Sequence, residues 1–486
     1  MIYKLRPYQE ECVKSISDYI NSDRHDPVLV IGPVGCGKSI LIAEAARLMG
    51  DKTLVLQPSR ELLIQNYCKL TSYGIPATIY SASCGKKELS NMIYATLGSI
   101  KKVVGQLKEM GIRNVLIDEA HAGYSPEDGS EFMTFMNELK PRKVIGFTAT
   151  PCRLKNMSIG QTSYSQLNFI TRMRPVYFKN LIHVIQVEEM IRQEFWTPLK
   201  YETWDFNGDA LKLNSNGSEY TAESISEAVR KNGLNNLILR RLMVLKDICR
   251  SILVFMDSVE SCNTAAEWMN AKICAGIAEV VHGGTPKKQR EAIVERFKSG
   301  GTQVVFNYSA LGTGFDHPGL DCVIVGRPTF SFSSFYQWLG RAVRIKDGKD
   351  SALVVDCCNN SSRFGDIREL SIENYKGYGW GMFIGDKLIT NIPMGDKVTK
   401  TDLDIKAAKK DRRRGLAQGI TASPVPGRPD HPLGSTVMTF GKYCGWMLHS
   451  IPVSYFKFIN ETFDWDNDRN KDIKEYIDFL IKNNRL

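Results

Sequence analysis

Twelve cysteines are spread over this 486-residue chain, and no two of them stand in a C-x-x-C arrangement. That removes a zinc ribbon or a disulfide framework from consideration and leaves reduced thiols, with Cys357 and Cys358 read as part of a buried strand. No apolar run approaches the ~20 residues needed to cross a bilayer, so no membrane span is expected. The start, Met1-Ile2-Tyr3-Lys4-Leu5-Arg6-Pro7, lacks the apolar stretch and small-residue cleavage site of a secretory signal, and a cytoplasmic protein is the expectation. No nuclease-like constellation of carboxylates stands out. Charge is not extreme: a formal +10, with 24% charged and 43% hydrophobic residues, suits a polyanionic partner and ordinary solubility equally well. The length favours two or three domains.

What is present is organised around Val28 to Ser39, where an apolar run opens into a glycine-rich turn and then a helical pattern. Gly32, Gly37, Lys38 and Ser39 fit the spacing of a phosphate-binding loop. Backbone N–H groups of Pro33's neighbours Val34, Gly35 and Cys36 would curl around phosphate, Lys38 would reach the β- and γ-phosphates, and Ser39 would place its hydroxyl on Mg²⁺. The helix expected from Ile40 to Ala46 points its positive dipole end at the same place. ATP and Mg²⁺ are therefore the expected ligands. Just upstream, Arg6 and Gln9 open an amphipathic helical pattern through Val13, Ile16 and Ile20. A glutamine there can read an adenine edge with both halves of its amide; a surface residue at a helix start is the alternative.

Strands expected at Thr53–Gln57, Val115–Ile117 and Lys143–Phe147 alternate with helical stretches, the pattern of a parallel sheet covered on both faces. Each ends in a polar cluster: Pro58-Ser59-Arg60-Glu61-Leu62, Asp118-Glu119-Ala120-His121 and Thr148-Ala149-Thr150-Pro151. Ligands of such sheets gather at the carboxyl ends of strands. Of the two acids, Asp118 can hold Mg²⁺ and Glu119 can orient and deprotonate an attacking water.

In this order, Gly32 to Ser39, Pro58 to Leu62, Asp118 to His121 and Thr148 to Thr150 resemble motifs I, Ia, II and III of the superfamily 2 helicases. Later stretches complete the resemblance with motifs IV, V and VI: Ser251–Phe255, Val304–Asn307 with Leu311–Pro318, and Asp321–Thr329 leading to Gln337–Arg344. The Arg327-Pro328-Thr329 run and the Gly340-Arg341-x-x-Arg344 pattern are most similar to the RadD-like and type III restriction-like branch, and the likeness spans residues 1–370. It implies that His121 links the ATP site to Thr148 and Thr150, which act in coupling. It also implies that Gln337 contacts the γ-phosphate or its water, that Gly314 and Asp316 adjoin the nucleotide, and that Pro58, Ser59, Arg60, Arg327 and Thr329 meet nucleic acid. Arg341 and Arg344, three apart on an expected helix, share a face, and a guanidinium fork suits phosphate oxygens; one can serve as an arginine finger.

The expected architecture is α/β: two tandem RecA-like lobes at 1–158 and 221–370, each a parallel sheet flanked by helices, joined by a connection at 159–220. In and beside that connection, Met157 to Thr162 reads as loop, and Met190–Leu199 resembles the inter-lobe connection of RadD-like and type III restriction-like ATPases. A basic linker region follows at 371–430, with Lys406, Lys409, Lys410, Arg412, Arg413 and Arg414, and then a small α+β module at 431–486 of a kind found in phage and bacterial proteins. In that module Lys442, Tyr443 and Trp446 either stack on bases or fill a small core. The expected function is an ATP-dependent DNA helicase or translocase in replication, recombination or repair. It would be monomeric, act on single-stranded or branched duplex DNA alongside other replication or recombination proteins, and have no membrane role. The alternatives are the motor subunit of a restriction or defence assembly and an RNA helicase.

Overall fold

In the computed structural model, the apolar stretches read as strands gather into two mainly parallel sheets. The structure describes residues 3–159, 162–311, 315–376 and 378–407, and beyond these 432–436, 438, 439, 443, 446–462, 465 and 470–483. One compact unit runs from Met1 to Ala407 and a second from Ala408 to Leu486.

The first part of the chain supplies β1 (Val28–Ile31), β2 (Thr53–Leu56), β3 (Thr78–Ser81), β4 (Lys86–Lys87), β5 (Met92–Ala95), β6 (Asn114–Ile117) and β7 (Lys143–Thr148). Next come β8 (Cys152–Ile159), β9 (Thr162–Phe169) and β10 (Asn180–Val184). Eight of these form one sheet in the order β10, β1, β7, β6, β2, β5, β3, β4, parallel throughout except for the last pair. Strands β1, β2, β6 and β7 are buried along their whole length, as a parallel sheet covered by helices on both faces requires. Helices α1 (Pro7–Asn21), α2 (Lys38–Met49) and α3 (Arg60–Thr71) belong to this lobe. The second sheet runs β11 (Leu199–Thr203), β16 (Ala352–Asp356), β15 (Cys322–Val325), β12 (Ile252–Phe255), β14 (Val304–Tyr308), β13 (Ala278–His282), all parallel. One buried apolar cluster continues from Tyr8, Val30 and Phe147 through Trp196 to Phe335, Leu339 and Val343, so the two lobes share a dry contact.

Three boundaries differ from the sequence reading. The stretch Met157 to Thr162, read as loop, belongs to an antiparallel hairpin in which Cys152 faces Phe169 and Ile159 faces Thr162; Gly160 and Gln161 lie outside the described residues. The base of this ribbon is buried at Cys152, Leu167 and Phe169, whereas Asn156 and Met157 further along it are exposed, so the sequence there carries no period-two apolar signal. Within the segment taken as connection, β10 adds an edge to the first sheet and β11 an edge to the second, which leaves only residues 185–198 between the lobes' strands. The supposed linker after residue 370 begins with an antiparallel sheet, β17 (Leu370–Tyr375), β18 (Gly379–Ile384), β19 (Lys387–Leu388) and β20 (Val398–Thr399). Lys406 is helical, whereas Lys409, Lys410, Arg412, Arg413, Arg414 and the Pro-rich run 423–429 lie outside the described residues.

In the second unit, the described residues hold helices Val453–Thr462 and Lys471–Lys482 around a core that includes Tyr443, Phe456, Ile473 and Ile477. Tyr443 is buried and Trp446 packs partly buried against that core, so both aromatics serve as filling. Lys442 lies outside the described residues, and no named strand of an α+β module falls among the described ones.

One fold contact is testable by itself. Lys143, at the start of β7 and 4% exposed, donates to the carbonyls of Tyr19 (2.9 Å), Ser22 (2.7 Å) and Arg24 (2.6 Å), closing the C-terminal end of α1. Lys143→Met removes all three donations and is expected to cost about 2–3 kcal/mol. Urea unfolding checks it, and an unchanged midpoint would mean these carbonyls find other donors.

Candidate active site

The phosphate loop leaves the carboxyl end of β1, a strand flanked on both sides, and this placement fixes its direction. Gly35 and Gly37 adopt φ of +80° and +82°, conformations that cost a side-chain-bearing residue energy. Gly32 donates its N–H to Thr148 O at 3.1 Å, and a Cβ there would come within 2.6 Å of the buried Cys36 sulfur. Burial pushes the Cys36 thiol up to about 11, so it stays protonated and acts as packing.

A cleft of about 330 Å³ is lined by Pro33, Val34, Gly35, Gly37, Lys38 and Ser39 from the loop and by Asp118 and Glu119 from the turn after β6. Asp316, Gln337, Arg341 and Arg344 of the second lobe line the same cleft. Lys38 Nζ lies 2.7 Å from Glu119 Oε1. Burial acts to lower the ammonium's pKa, but Glu119 and Asp118 outweigh it and hold Lys38 charged. For Glu119, burial would favour the neutral acid, yet Lys38 and the His121 ring keep it ionised. Asp118 is pushed the other way, by its own burial and then by the neighbouring Glu119 carboxylate. It is held by Asn66 Nδ2 at 2.8 Å and by the Glu119 N–H at 2.9 Å. His121 Nδ1 sits 3.3 Å from Glu119 Oε2 and 2.8 Å from Thr148 Oγ1, and that hydroxyl accepts from Thr150 N at 3.1 Å. A chain of contacts thus runs from Lys38 to the end of β7.

On the opposite wall, Arg341 donates to Phe315 O at 2.6 Å and Arg344 pairs with Asp316, so the segment after β14 aims both guanidinium groups. Burial lowers each arginine to about 10, still charged at neutral pH. Gly314 lies outside the described residues. Gln337 faces this cleft and also a second crevice of about 350 Å³ lined by Asn307, Glu219 and Arg327.

Several expected contacts are engaged elsewhere. Gln9 is 2% exposed; its Oε1 accepts from Arg6 N at 3.0 Å and its Nε2 donates to Cys36 O at 2.9 Å. Its amide fastens α1 to the phosphate loop instead of facing the cleft, which Arg6 lines, stacked 4.5 Å from the Phe195 ring. Ser59 caps α3 by accepting from Leu62 N at 3.3 Å, between Pro58 and the half-buried Arg60. Thr329 is fully buried and donates its hydroxyl to Glu219 at 2.6 Å, so its side chain is a brace and is not presented to a strand.

The structure adds wall residues that the sequence reading missed. Leu62, Gln65 and Lys69 line the cleft from α3, and Asn66 on the same face holds Asp118. Their spacing of i, i+3, i+4, i+7 is a legible helical face once α3 is known to back onto the loop. Phe195 had no such signal.

Residues 2–153 match the family described as type III restriction enzyme, res subunit, and residues 234–346 match the helicase conserved C-terminal domain. Among curated proteins, the chain is 23% identical over 378 residues to a Saccharomyces cerevisiae protein named as an ATP-dependent helicase, IRC3, covering 74% of this chain and 52% of that one. It is 25% identical over 332 residues to a 51.5 kDa protein of a Lactococcus phage, covering 68% and 65%. The chain therefore spans between about half and two thirds of these relatives' length. Among solved structures, it shares the fold of the ATP-dependent Type ISP restriction-modification enzyme LlaBIII bound to DNA, with a TM-score of 0.54 and 17% identity over 73% of this chain and 28% of that one.

The packing of the two walls yields a test. A methyl group on Gly340 would overlap the Val34 side chain. Gly340→Ala is expected to lower hydrolytic turnover about 100-fold, the cost of a roughly 1 Å misplacement. Val34→Gly in the same chain, which removes the Cβ 2.6 Å away as well as both methyl groups, should recover most of the loss in a steady-state phosphate-release assay; no recovery would mean the overlap is not the cause.

Proposed function

We propose that this chain, which belongs to the superfamily 2 helicases in the branch of the type III restriction res subunits, hydrolyses ATP between its lobes to drive movement along DNA. The observation that carries this reading is the composite cleft: a lysine, two acids and a hydroxyl from one lobe face two arginines and a glutamine from the other. Each lobe by itself holds half of a phosphoryl-transfer site. A nucleotide filling the cleft would bridge Lys38 to Arg341 and Arg344 and draw the lobes together, and loss of the γ-phosphate would remove that bridge.

The donor set fits Mg²⁺, because the buried Asp118 carboxylate and the Ser39 hydroxyl are oxygen ligands of the type that ion takes. When bound, the ion would neutralise charge on the phosphate oxygens. The chain's own residues do the rest. Lys38 is released from Glu119 as phosphate oxygens compete for its ammonium. Glu119, kept ionised, then accepts the proton of the attacking water. Arg341 or Arg344 offsets charge developing on the γ-phosphate, and Gln337 orients the water.

DNA is the proposed track because the restriction enzyme that shares this fold is a DNA complex. The same likeness favours a second reading, a motor that delivers another chain's nuclease. Cytoplasmic replication, recombination or repair is the proposed setting.

Lys38→Ala and Glu119→Gln are expected to abolish nucleic-acid-stimulated ATP hydrolysis, and Arg341→Ala to lower it at least ~1,000-fold. Wild-type turnover in any of the three would remove that residue from the site. Stimulation of the same assay by single-stranded DNA, branched duplex DNA and RNA decides the track: stimulation by RNA alone would replace DNA in this proposal.

A further inference from the structure

The segment Glu194-Phe195-Trp196-Thr197-Pro198 takes no part in the chemistry above, yet it touches both walls of the cleft. Trp196, 3% exposed, donates its indole N–H to Val34 O in the phosphate loop at 2.9 Å. Thr197, also 3% exposed, donates its backbone N–H to Val343 O at 2.8 Å and its hydroxyl to Arg344 O at 2.7 Å. The carbonyls it captures lie four and five residues past helix Phe332–Leu339, in the segment that carries Arg341 and Arg344. Lys349 Nζ completes the capture, donating to Ala342 O at 2.7 Å and Arg344 O at 2.8 Å.

One peptide bond therefore separates the residue attached to the phosphate loop from the residue attached to the arginine-bearing turn, and burial holds the Trp196 side chain in place. Successive Cα atoms are about 3.8 Å apart across a rigid planar unit, so the offset between the two walls has little freedom. The walls are in contact as well: a Cβ on Gly35 would lie 3.2 Å from Val343 Cγ2 and 3.5 Å from Trp196 Nε1. Thr197 binds the turn's backbone and leaves the guanidinium groups alone. Its loss would change where the arginines stand without changing their charge.

We propose that Trp196 and Thr197 are positioning residues that register the arginine-bearing turn of the second lobe against the phosphate loop of the first, setting where Arg341 and Arg344 meet the γ-phosphate. The proposal rests on the reading of those arginines as γ-phosphate partners.

The test uses the full chain under saturating single-stranded DNA. Thr197→Val keeps the volume and removes the hydroxyl donor; Trp196→Phe keeps an aromatic ring and removes the N–H. Each is expected to lower kcat about 10- to 100-fold, the scale of a small misplacement, while binding of adenylyl imidodiphosphate changes less than about threefold. Thr197→Ser, which retains the hydroxyl, should restore kcat to within about threefold, and Thr197→Val should add no further loss once both arginines are replaced (Arg341→Ala with Arg344→Ala), as expected for residues acting as one unit. Wild-type kcat in both Thr197→Val and Trp196→Phe overturns the proposal, and so does a further loss from Thr197→Val in the chain that carries both Arg341→Ala and Arg344→Ala. If Thr197→Val lowers the thermal midpoint enough to unfold the chain, Trp196→Phe alone decides by the same criterion. Wild-type turnover in both Arg341→Ala and Arg344→Ala would instead refute the arginine reading, and this proposal with it.

Discussion

The close approach of the phosphate loop to the arginine-bearing turn is the constraint on which the rest of the site depends. Gly35 and Gly340 lie on opposite sides of that approach, and a side chain on either would press on Val343 or overlap Val34. Because both positions lack a Cβ, two lobes built on separate sheets can bring their polar ends into one small cleft. The continuous apolar cluster through Trp196, Phe335 and Val343 keeps water from this seam. The largely buried Lys38–Glu119 pair beside it is correspondingly less screened than an exposed one.

Burial accounts for the electrostatic arrangement inside the cleft. Lys38 and Glu119 offset each other's desolvation across 2.7 Å, and Asn66 and a backbone N–H support Asp118, whose carboxyl is otherwise disfavoured as an anion. From Glu119 the contacts continue to His121 and Thr148, and Thr148 O accepts from Gly32 at the root of the phosphate loop. A change at the acid can therefore reach the loop through the end of β7 as well as through Lys38. In the second lobe, Gln337 stands between the nucleotide cleft and the Arg327 crevice, so one side chain borders both.

Where the sequence reading departed from the structure, the cause lies in what a pattern can encode. The β8–β9 ribbon is rich in Asn, Ser, Gln and Thr and is buried only at its base, at Cys152 and Leu167 to Phe169, so no alternation marked the stretch from Met157 to Thr162 as strand. Strands β10 and β11 are half-exposed edge strands, and their membership in two different sheets follows from pairing partners about 150 residues away in both cases. Gln9 carries the donor and acceptor needed to read a base. Its Oε1 is engaged by the Arg6 N–H in a local cap of α1, but that its Nε2 is taken by Cys36 O follows from how α1 docks, which no local residue reveals. Likewise Thr329 stands beside an arginine in sequence but under Glu219 in space.

The sequence by itself determined the lobes' α/β character and the strand ends where chemistry gathers, because strand, glycine turn and helix are local properties written within a dozen residues. It also singled out the lysine, the two acids and the paired arginines; the arginines, expected on one face of a helix, stand instead past the end of helix Phe332–Leu339. Only the tertiary structure decided that the loop and the arginine turn meet, and that Trp196 and Thr197 stand between them. Those contacts join residues more than 140 positions apart or belong to a segment with no periodicity of its own, and they arise from docking one folded surface on another.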